Sequence, residues 1–373
     1  MTGIISHSFS PIPITAHSWN QKGDMVAMSH NNNEVKLYKK SGNAYNSVST
    51  FNQHDLRVTG ISWAPKSNRI VTCSADHNAY VWSLEESTGE WTFTPVFLRC
   101  NRAITCIKWS PNEQKIAAGS GARIVNVCHF NEDQDWWVAK HIKKPITSTV
   151  TCLDWHPNNV LVAVGSTDFK VRVFSAYVKD IEPKPSTTPW GSKMSLSTLM
   201  AEFSNSLNGG GWVHDVSFSA DGNKLAWIGH DSSVSVADAN RGMAIFKLKT
   251  PALPLLSCIW ISESAFVAAG HDCVPLLFSV EAGGQVKYVS KLEEDKKTET
   301  NTVFSAKALF KAKDRTGQTE AAETILNTTH QKQISCIRIC RGDKSNCEVI
   351  STTAGDGKLV LWDIDACKKA LKL

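Results

Sequence analysis

VTGISW, at residues 58–63, is the segment that decides the fold, because six further segments of the chain repeat its pattern. Apolar residues alternate with small or polar residues in each copy, as they do along a β-strand whose two faces meet different surroundings. The seven copies are ITAHSW (14–19), VTGISW (58–63), ITCIKW (104–109), VTCLDW (150–155), VHDVSF (213–218), LLSCIW (255–260) and ISCIRI (334–339). A strand that recurs in this way predicts a protein built from repeated units.

The spacing of these copies identifies the kind of repeat. Their last residues are separated by 44, 46, 46, 63, 42 and 79 residues, so the basic interval is 42 to 46 residues. That interval is typical of the four-stranded unit of WD-repeat propellers. Sheets of this kind close around one axis into a single domain. We therefore predict an all-β fold, a seven-bladed WD-repeat β-propeller that spans residues 1–373.

A turn aspartate follows most copies of the segment and indicates a buried hydrogen-bond network. In WD repeats such an aspartate can bond a histidine at the start of the repeat, which reaches a serine or threonine and the indole N–H of a tryptophan. Because buried polar groups must be paired, this arrangement would hold neighbouring strands together. The predicted network residues are His54, Ser74, Asp76, Trp82, Asp168, Asp272, His330, Asp356 and Trp362. We expect these networks to be structural and uneven, because the third repeat lacks the aspartate and the tryptophan and the fourth lacks the histidine.

A propeller must also close its ring. Residues 3–9 (GIISHSF) are predicted to supply the outer strand of the last blade, beside the strand that ends at Trp362 and Asp363. The C-terminal stretch CKKALKL (367–373) is the competing candidate. Either segment would cover a strand edge that could otherwise pair with another chain.

The repeat interval fails at two places, which mark insertions. Residues 176–211 are rich in Pro, Ser and Gly, so we predict a long loop insertion with a short strand near residues 199–203. Residues 293–329, between the sixth and seventh blades, are predicted to form a protruding insertion with a short amphipathic helix. Asn301 or Thr302 could cap that helix.

The composition of this helix leaves two roles open. Its candidate contact residues for a partner are Val303, Phe304, Lys307, Ala308, Leu309, Phe310 and Lys311. An apolar helix on a polar tether could enter a hydrophobic groove of a partner, since long loops in compact domains are usually functional or disordered. It could equally fold back and pack on the edge of a blade.

Composition and motifs exclude several functional classes. The 373-residue chain has a net charge of +5, which is too weak to indicate nucleic-acid binding, and no apolar run is long enough to insert in a membrane. We expect no secretory signal, and the 11 cysteines form no CxxC pair, which favours a reducing compartment. The sequence contains no phosphate loop, GxSxG elbow or zinc-ligand spacing. We therefore expect no enzyme activity, no cofactor and no metal.

Several loop sequences resemble one family in particular. They are YKKSGN (38–43), WAPKSNRIVTCSADHNAYVW (63–82), GSGARIV (119–125), DWWVAKHIKKPI (135–146), LDWHPNNVL (153–161), VFSAYVK (173–179), TPWGSKM (188–194), GGWVHDVSFSA (210–220) and AAGHDC (268–273). Propellers of other families have no reason to agree in their loops, so the match is specific. From about residue 14 to residue 292 the chain resembles the WD-repeat subunit, subunit 1, of the actin-related protein 2/3 complex.

This resemblance implies a non-catalytic scaffold subunit of a complex that nucleates branched actin filaments from the side of an existing filament. Its implied partners are actin-related proteins 2 and 3, the other complex subunits, the actin filament and nucleation-promoting factors of the WASP type. In this family the insertion between the last two blades carries a protruding helix implicated in contacting actin of the mother filament, and residues 301–313 match its position. The implied location is the cytoplasm, at the actin cytoskeleton of the cell cortex and protrusions, with the nucleus as a further location.

A general WD-repeat adaptor of the ubiquitin-ligase or chromatin type is the alternative. Such a protein reads a peptide on the narrow central face, and Arg57, Arg102 and Trp212 are its candidate binding residues. A propeller hydrolase is a third class, which would need a metal or an acid pair facing the channel.

Overall fold

The computed structural model describes residues 3–205, 210–293 and 326–366, which form 28 β-strands and a 3-10 helix at Ala239–Arg241. The first strands are β1 (Ile4–Ser8), β2 (Ala16–Trp19), β3 (Met25–Ser29), β4 (Val35–Ser41), β5 (Ala44–Phe51), β6 (Val58–Trp63), β7 (Ile70–Ser74), β8 (Ala79–Leu84), β9 (Trp91–Phe97), β10 (Ile104–Trp109), β11 (Lys115–Ser120), β12 (Ile124–Asn131), β13 (Trp136–Ile142) and β14 (Val150–Trp155). The later strands are β15 (Leu161–Ser166), β16 (Lys170–Ser175), β17 (Leu199–Ser204), β18 (Val213–Phe218), β19 (Lys224–Gly229), β20 (Ser233–Asp238), β21 (Ala244–Lys249), β22 (Leu255–Ser262), β23 (Ala265–Gly270), β24 (Leu276–Val280), β25 (Val286–Lys291), β26 (Ile334–Gly342), β27 (Cys347–Ala354) and β28 (Lys358–Asp363).

These strands form seven groups of four within the described residues. Each group from β2–β5 to β22–β25 is a run of consecutive antiparallel strands, whereas the last contains β26, β27, β28 and β1. A short parallel pairing of β9 with β13, with Trp137 opposite Val96, joins the second and third groups into one eight-stranded sheet. The chain is thus an all-β protein built from four-stranded sheets.

The N-terminal strand completes the last sheet, which confirms the prediction for residues 3–9. β1 pairs with β28, with Ile4 opposite Trp362 and Ser8 opposite Lys358. The competing stretch, 367–373, lies outside the described residues. The first strands of the groups contact one another in the order β2, β6, β10, β14, β18, β22 and β26, and β26 contacts β2. The described sheets are therefore arranged in a closed cycle.

A hydrogen bond explains why the second position of the repeated segment is Thr or Ser in five of the seven copies. In five copies this side chain donates a hydrogen bond to a backbone carbonyl just before, or at the start of, the first strand of the next sheet. The bonds run from Thr15 to Val58 (3.4 Å), Thr59 to Ile104 (2.6 Å), Thr105 to Val150 (2.6 Å), Thr151 to Val213 (2.6 Å) and Ser335 to Ile14 (2.8 Å). The last bond joins the seventh sheet to the first.

The apolar core lies between neighbouring sheets. Second strands such as β11 and β15 are buried along their whole length, whereas the outer strand β21 alternates between exposed and partly buried residues. Gly119 and Gly165 permit the close approach of the next sheet, because a Cβ at these positions would lie 2.5 Å from Val150 Cγ1 and 2.6 Å from Val213 Cγ1. Tight packing of this kind explains why the inner strands carry small and apolar residues.

The two interruptions of the repeat have different outcomes in the structure. Within residues 176–211 the chain forms β17, which pairs with β16 as the outer strand of the fourth sheet. The loop before β17 is packed inside, since Trp190 is 2% exposed and its Nε1 donates to the carbonyl of Gly222 at 2.8 Å. The short amphipathic helix predicted within residues 293–329 falls, like residues 301–313, outside the described residues. In the described ranges no helix is long and apolar enough to cross a membrane.

Candidate functional site

The second sheet contains a buried network centred on His54. Its Nδ1 lies 3.1 Å from Asp76 Oδ2, and its Nε2 lies 2.9 Å from the hydroxyl of Thr72. Trp82 Nε1 donates to the same hydroxyl at 3.0 Å. A His54 tautomer with the proton on Nδ1 satisfies all of these atoms, because Thr72 then donates to Nε2 and accepts from the indole. Burial lowers the pKa of His54, with Asp76 acting in the opposite direction, so the ring is neutral at pH 7.

Ser74, which the sequence assigned to this network, does not join the histidine to the tryptophan. Its hydroxyl donates to the carbonyl of Leu56 at 2.8 Å and accepts from the amide of Asp76 at 3.1 Å. Ser74 lies opposite Val58 at the edge of the pair β6–β7, which brings its hydroxyl to the backbone of the loop before β6. Thr72, two residues earlier in β7, is the residue that reaches both rings.

The seventh sheet repeats the same geometry. His330 Nδ1 lies 3.2 Å from Asp356 Oδ1, and its Nε2 lies 2.7 Å from the hydroxyl of Thr352. Trp362 Nε1 donates to that hydroxyl at 2.8 Å. The structure thus brings the three predicted residues together through Thr352, which the sequence did not single out. The signal that could have found both threonines is their position ten residues before the tryptophan.

Asp168 and Asp272 bond other groups. Asp168 accepts from the amide and hydroxyl of Thr147, at 3.2 and 2.8 Å, and forms an ion pair with Arg172 at 2.9 Å. Asp272 accepts from the amide of Leu253 at 3.0 Å. In both repeats a phenylalanine stands where the tryptophan would be, so there is no indole N–H for a network to pair.

A further network joins the first sheet to the seventh. His17 Nε2 lies 2.8 Å from Ser351 Oγ, and its Nδ1 lies 3.0 Å from Thr353 Oγ1. Trp19 Nε1 donates to Ser351 Oγ at 2.7 Å. His17 is fully buried, and burial together with the charge of Arg338 lowers its pKa well below the ordinary value. The repeat pattern contains no sign of this contact, because more than 330 residues separate its two sides.

The second insertion leaves and rejoins the fold at one place. The carboxylate of Glu293 accepts from the amide of Thr329 at 2.9 Å and from its hydroxyl at 2.7 Å. Glu293 is 7% exposed, so this clamp is buried. The seven candidate contact residues between 303 and 311 lie outside the described residues.

The residues of the alternative peptide-reading face are exposed. Arg57, Arg102 and Trp212 lie in the loops that enter β6, β10 and β18, at corresponding ends of their sheets. Trp212 is 50% exposed, and its ring lies 5.3 Å from that of His230. The three side chains belong to three separate sheets.

The cysteines and histidines offer little catalytic chemistry in the described ranges. No group of three or more His, Cys, Asp or Glu side chains there could hold a metal ion. Burial raises the pKa of the Cys106 thiol to about 11, so this sulfur stays protonated at neutral pH. Burial raises the pKa of Cys73 and Cys152 further. Protonated thiols of this kind are inert core residues.

Comparison with known proteins adds two family matches and several full-length relatives. Residues 17–112 match the anaphase-promoting complex subunit 4 WD40 domain, and residues 139–175 match the WD domain, G-beta repeat. The chain is 53% identical over 357 residues to actin-related protein 2/3 complex subunit 1A-B of Xenopus laevis, covering 96% of this chain and 95% of that protein. It is 40% identical over 373 residues to subunit 1 of the same complex from Schizosaccharomyces pombe, covering 95% and 97%. Subunit 1B of Arabidopsis thaliana is 35% identical over 369 residues, covering 96% of both chains.

Proposed function

This chain belongs to the family of actin-related protein 2/3 complex subunit 1, and we propose that its seven sheets are the blades of one closed propeller spanning residues 1–373. The chain is a non-catalytic structural subunit of the complex that nucleates actin branches, and its partners are the other subunits of that complex. The observation that carries this conclusion is 53% identity over 96% of the chain. The cycle of contacts from β2 to β26 supports the closed ring.

Within that role, the insertion at 293–329 protrudes from the ring and contacts actin of the mother filament. The clamp between Glu293 and Thr329 supports this proposal, because it fixes both ends of the insertion at one point of the fold. The 32 residues between 294 and 325 can therefore extend away without disturbing the sheets on either side. A short helix that carries Phe304 and Leu309 would present the contact surface.

Replacing Phe304 and Leu309 by Asp tests the contact. The reconstituted complex with both substitutions should assemble normally and form fewer branches, because two charges would enter an apolar interface. Branches per filament length, counted by fluorescence microscopy, measure the effect. The matched control is Ile245→Asp, an exposed position of β21 that is 41% accessible. Unchanged branching by a complex that assembles normally would contradict the role of the insertion.

Actin filaments and nucleation-promoting factors of the WASP type are further proposed partners, at the cytoplasmic actin cytoskeleton of the cell cortex and protrusions. Family membership supports both partners and this location. The general adaptor of the ubiquitin-ligase or chromatin type is disfavoured, because relatives from an amphibian, a yeast and a plant match nearly the whole chain and share one complex.

A further inference from the structure

A narrow cavity of about 150 Å³ lies within the cycle of sheets, and residues of all seven first strands line it. Hydroxyls and thiols make up much of its wall, and these hydroxyls donate to backbone carbonyls. They belong to Thr15, Thr59, Thr105, Thr151, Ser335, Cys106, Cys152 and Cys336. The charged residues of the wall are Lys108, Asp215 and Arg338. We call this space the axial cavity.

Arg338 is a half-buried cation of this wall that has unused hydrogen-bond donors. Within the described residues its guanidinium donates one hydrogen bond, from Nη1 to the carbonyl of Ile337 at 2.8 Å, and it forms no ion pair. A guanidinium carries five N–H groups, so four of them have no acceptor in that part of the protein. Polar groups in such surroundings are normally paired, and Arg338 therefore needs acceptors that the wall does not supply.

The carboxylate of the wall bonds neutral donors instead of Arg338. Asp215 Oδ2 accepts from the hydroxyl of Ser257 at 2.9 Å and from the amide of Cys258 at 3.0 Å. Its Oδ1 accepts from the amide of Val216 at 2.9 Å. Neutral groups thus occupy both oxygens of Asp215, and the described ranges contain no ion pair between this carboxylate and the guanidinium.

The charges at and beside the axial cavity do not cancel. Lys108 and Lys344 share one carboxylate, since their Nζ atoms donate to the two oxygens of Asp154 at 2.9 and 2.6 Å. Counting Arg338 and Asp215, three cations face two carboxylates, which leaves one excess positive charge. Burial lowers the pKa of Lys108, whereas Asp154 and Asp215 raise it above its ordinary value, and the charge of Arg338 opposes these carboxylates. The two cations of the wall therefore repel each other.

The remaining titratable groups nearby do not remove this excess. His214 also lines the axial cavity, but burial and two neighbouring histidines lower its pKa to about 4, so its ring is neutral at pH 7. Asp221, Glu263 and Asp343 lie in the loops that follow three of the first strands and line a different cavity. The positive charge of the axial cavity is thus not neutralised by its own wall.

We propose that the axial cavity binds one small inorganic anion, of the size and charge of chloride, between Arg338 and Lys108. A monovalent anion cancels the excess positive charge and accepts hydrogen bonds from the unused donors of the guanidinium. A cavity of about 150 Å³ admits such an ion and is too small for a nucleotide or a peptide segment. Because strands of all seven sheets surround it, the bound anion stabilises the folded ring relative to the unfolded chain. This inference does not depend on the actin-contacting insertion.

Thermal melting of the intact chain in potassium chloride and in potassium gluconate, at equal ionic strength, tests the proposal. Gluconate is too bulky for the axial cavity, so chloride should raise the melting temperature of the natural chain, relative to gluconate, by about 2 °C more than it raises that of Arg338→Gln. The matched control is Arg341→Gln, an exposed arginine of the same strand, which should respond as the natural chain does. Comparing responses between variants removes the general effect of each salt on stability. The same response in all three proteins would overturn the proposal and indicate a cavity filled with water.

Anomalous diffraction from bromide locates the ion. Crystals of the intact chain soaked in bromide should show a peak in the axial cavity beside Arg338, and crystals of Arg338→Gln should not. If Arg338→Gln fails to fold, the natural chain still decides the question, because a cavity without bromide would overturn the proposal. A bromide peak in a natural chain that melts no higher in chloride would indicate binding at crystal concentration only, and would equally overturn it.

Discussion

At the residue scale, one threonine hydroxyl in each of the two buried networks links the histidine to the tryptophan. Thr72 and Thr352 each accept from an indole and donate to a histidine, and both are completely buried. Because the site is buried, water cannot take the place of this hydroxyl. Its removal therefore leaves two ring nitrogens without a hydrogen-bond partner. The aspartates at the turn then orient the histidines by fixing the proton on Nδ1.

Replacing Thr72 by Val removes this hydroxyl at nearly constant volume. We expect the free energy of unfolding to fall by about 1–3 kcal/mol, because His54 Nε2 and Trp82 Nε1 lose their partner. Urea denaturation followed by fluorescence measures the change. The control is Thr92→Val on the exposed strand β9, which should change the free energy by less than about 0.5 kcal/mol. Equal stability of the two variants would show that the network contributes nothing.

At the element scale, β1 determines whether the last sheet has an open edge. Its two isoleucines lie on opposite faces, since Ile4 packs against the core between the sixth and seventh sheets and Ile5 is 53% exposed. The strand therefore contributes both pairing to β28 and apolar contact on one face only.

Substituting serine at the two neighbouring isoleucines separates these contributions. Ile4→Ser should lower the free energy of unfolding by about 1–2 kcal/mol through lost apolar burial, whereas Ile5→Ser should change it by less than about 0.5 kcal/mol. Thermal melting of both variants measures the difference. A larger loss of stability for Ile5→Ser than for Ile4→Ser would mean that the pairing of β1 with β28 is shifted by one residue, so that Ile5 and not Ile4 faces the core.

The loop before β17 is held by a buried ion pair. Lys115 donates to Glu182 at 2.7 Å and to the carbonyl of Ala176 at 3.0 Å, and its Nζ lies 5.1 Å from the centre of the Trp155 ring. Burial lowers the pKa of Lys115, while Glu182 acts in the opposite direction. A loop that would otherwise be a long solvent-exposed connection is thereby fixed to the third and fourth sheets.

Removing one partner of this pair should be costly. Glu182→Ala is expected to lower the free energy of unfolding by about 3 kcal/mol, because Lys115 is left buried without its counter-charge. Chemical denaturation measures the loss, and Glu132→Ala, at an exposed position, is the control. Replacing both partners, as Lys115→Met with Glu182→Leu, should restore part of the stability. A double variant less stable than Glu182→Ala would contradict the role of the uncompensated charge.

At the scale of the whole molecule, the ring is closed by polar contacts as well as by β1. His17 and Trp19 of the first sheet both reach Ser351 of the seventh, and Ser335 bonds the carbonyl of Ile14. Because these groups lie near the two ends of the chain, their contacts join the first sheet directly to the seventh. They therefore complete the cycle of sheets.

The buried histidine at this closure predicts a pH dependence of stability. The pKa of His17 is lowered below 6.5, so the unfolded chain binds a proton that the folded chain does not. Its contribution is complete above pH 6.5 and is lost as the pH falls below that value. Stability should therefore fall between pH 7 and pH 5 as the unfolded chain takes up this proton.

Urea denaturation at pH 5, 6 and 7 checks the expected slope. His17→Gln should be less stable than the natural chain at pH 7 and should lose less stability on acidification. His77→Gln, on an exposed turn, serves as the control and should keep the natural slope. Parallel curves for His17→Gln and the natural chain would show that this histidine is not responsible.

The sequence by itself determined the strand period, the faces of each strand and the family, whereas for the closing strand it offered both residues 3–9 and 367–373, and the pairing of β1 with β28 shows that the first segment closes the last sheet. The period, the faces and the family depend on alternation along the chain and on intervals between repeats, which one strand displays without its neighbours. It could not select Thr72 over Ser74, since both are hydroxyls on β7 and only the placement of His54 and Trp82 distinguishes them. The contact of His17 with Ser351 was likewise decided by the tertiary structure. It joins residues of two different sheets, and its distance depends on the geometry of the closed ring rather than on any local pattern.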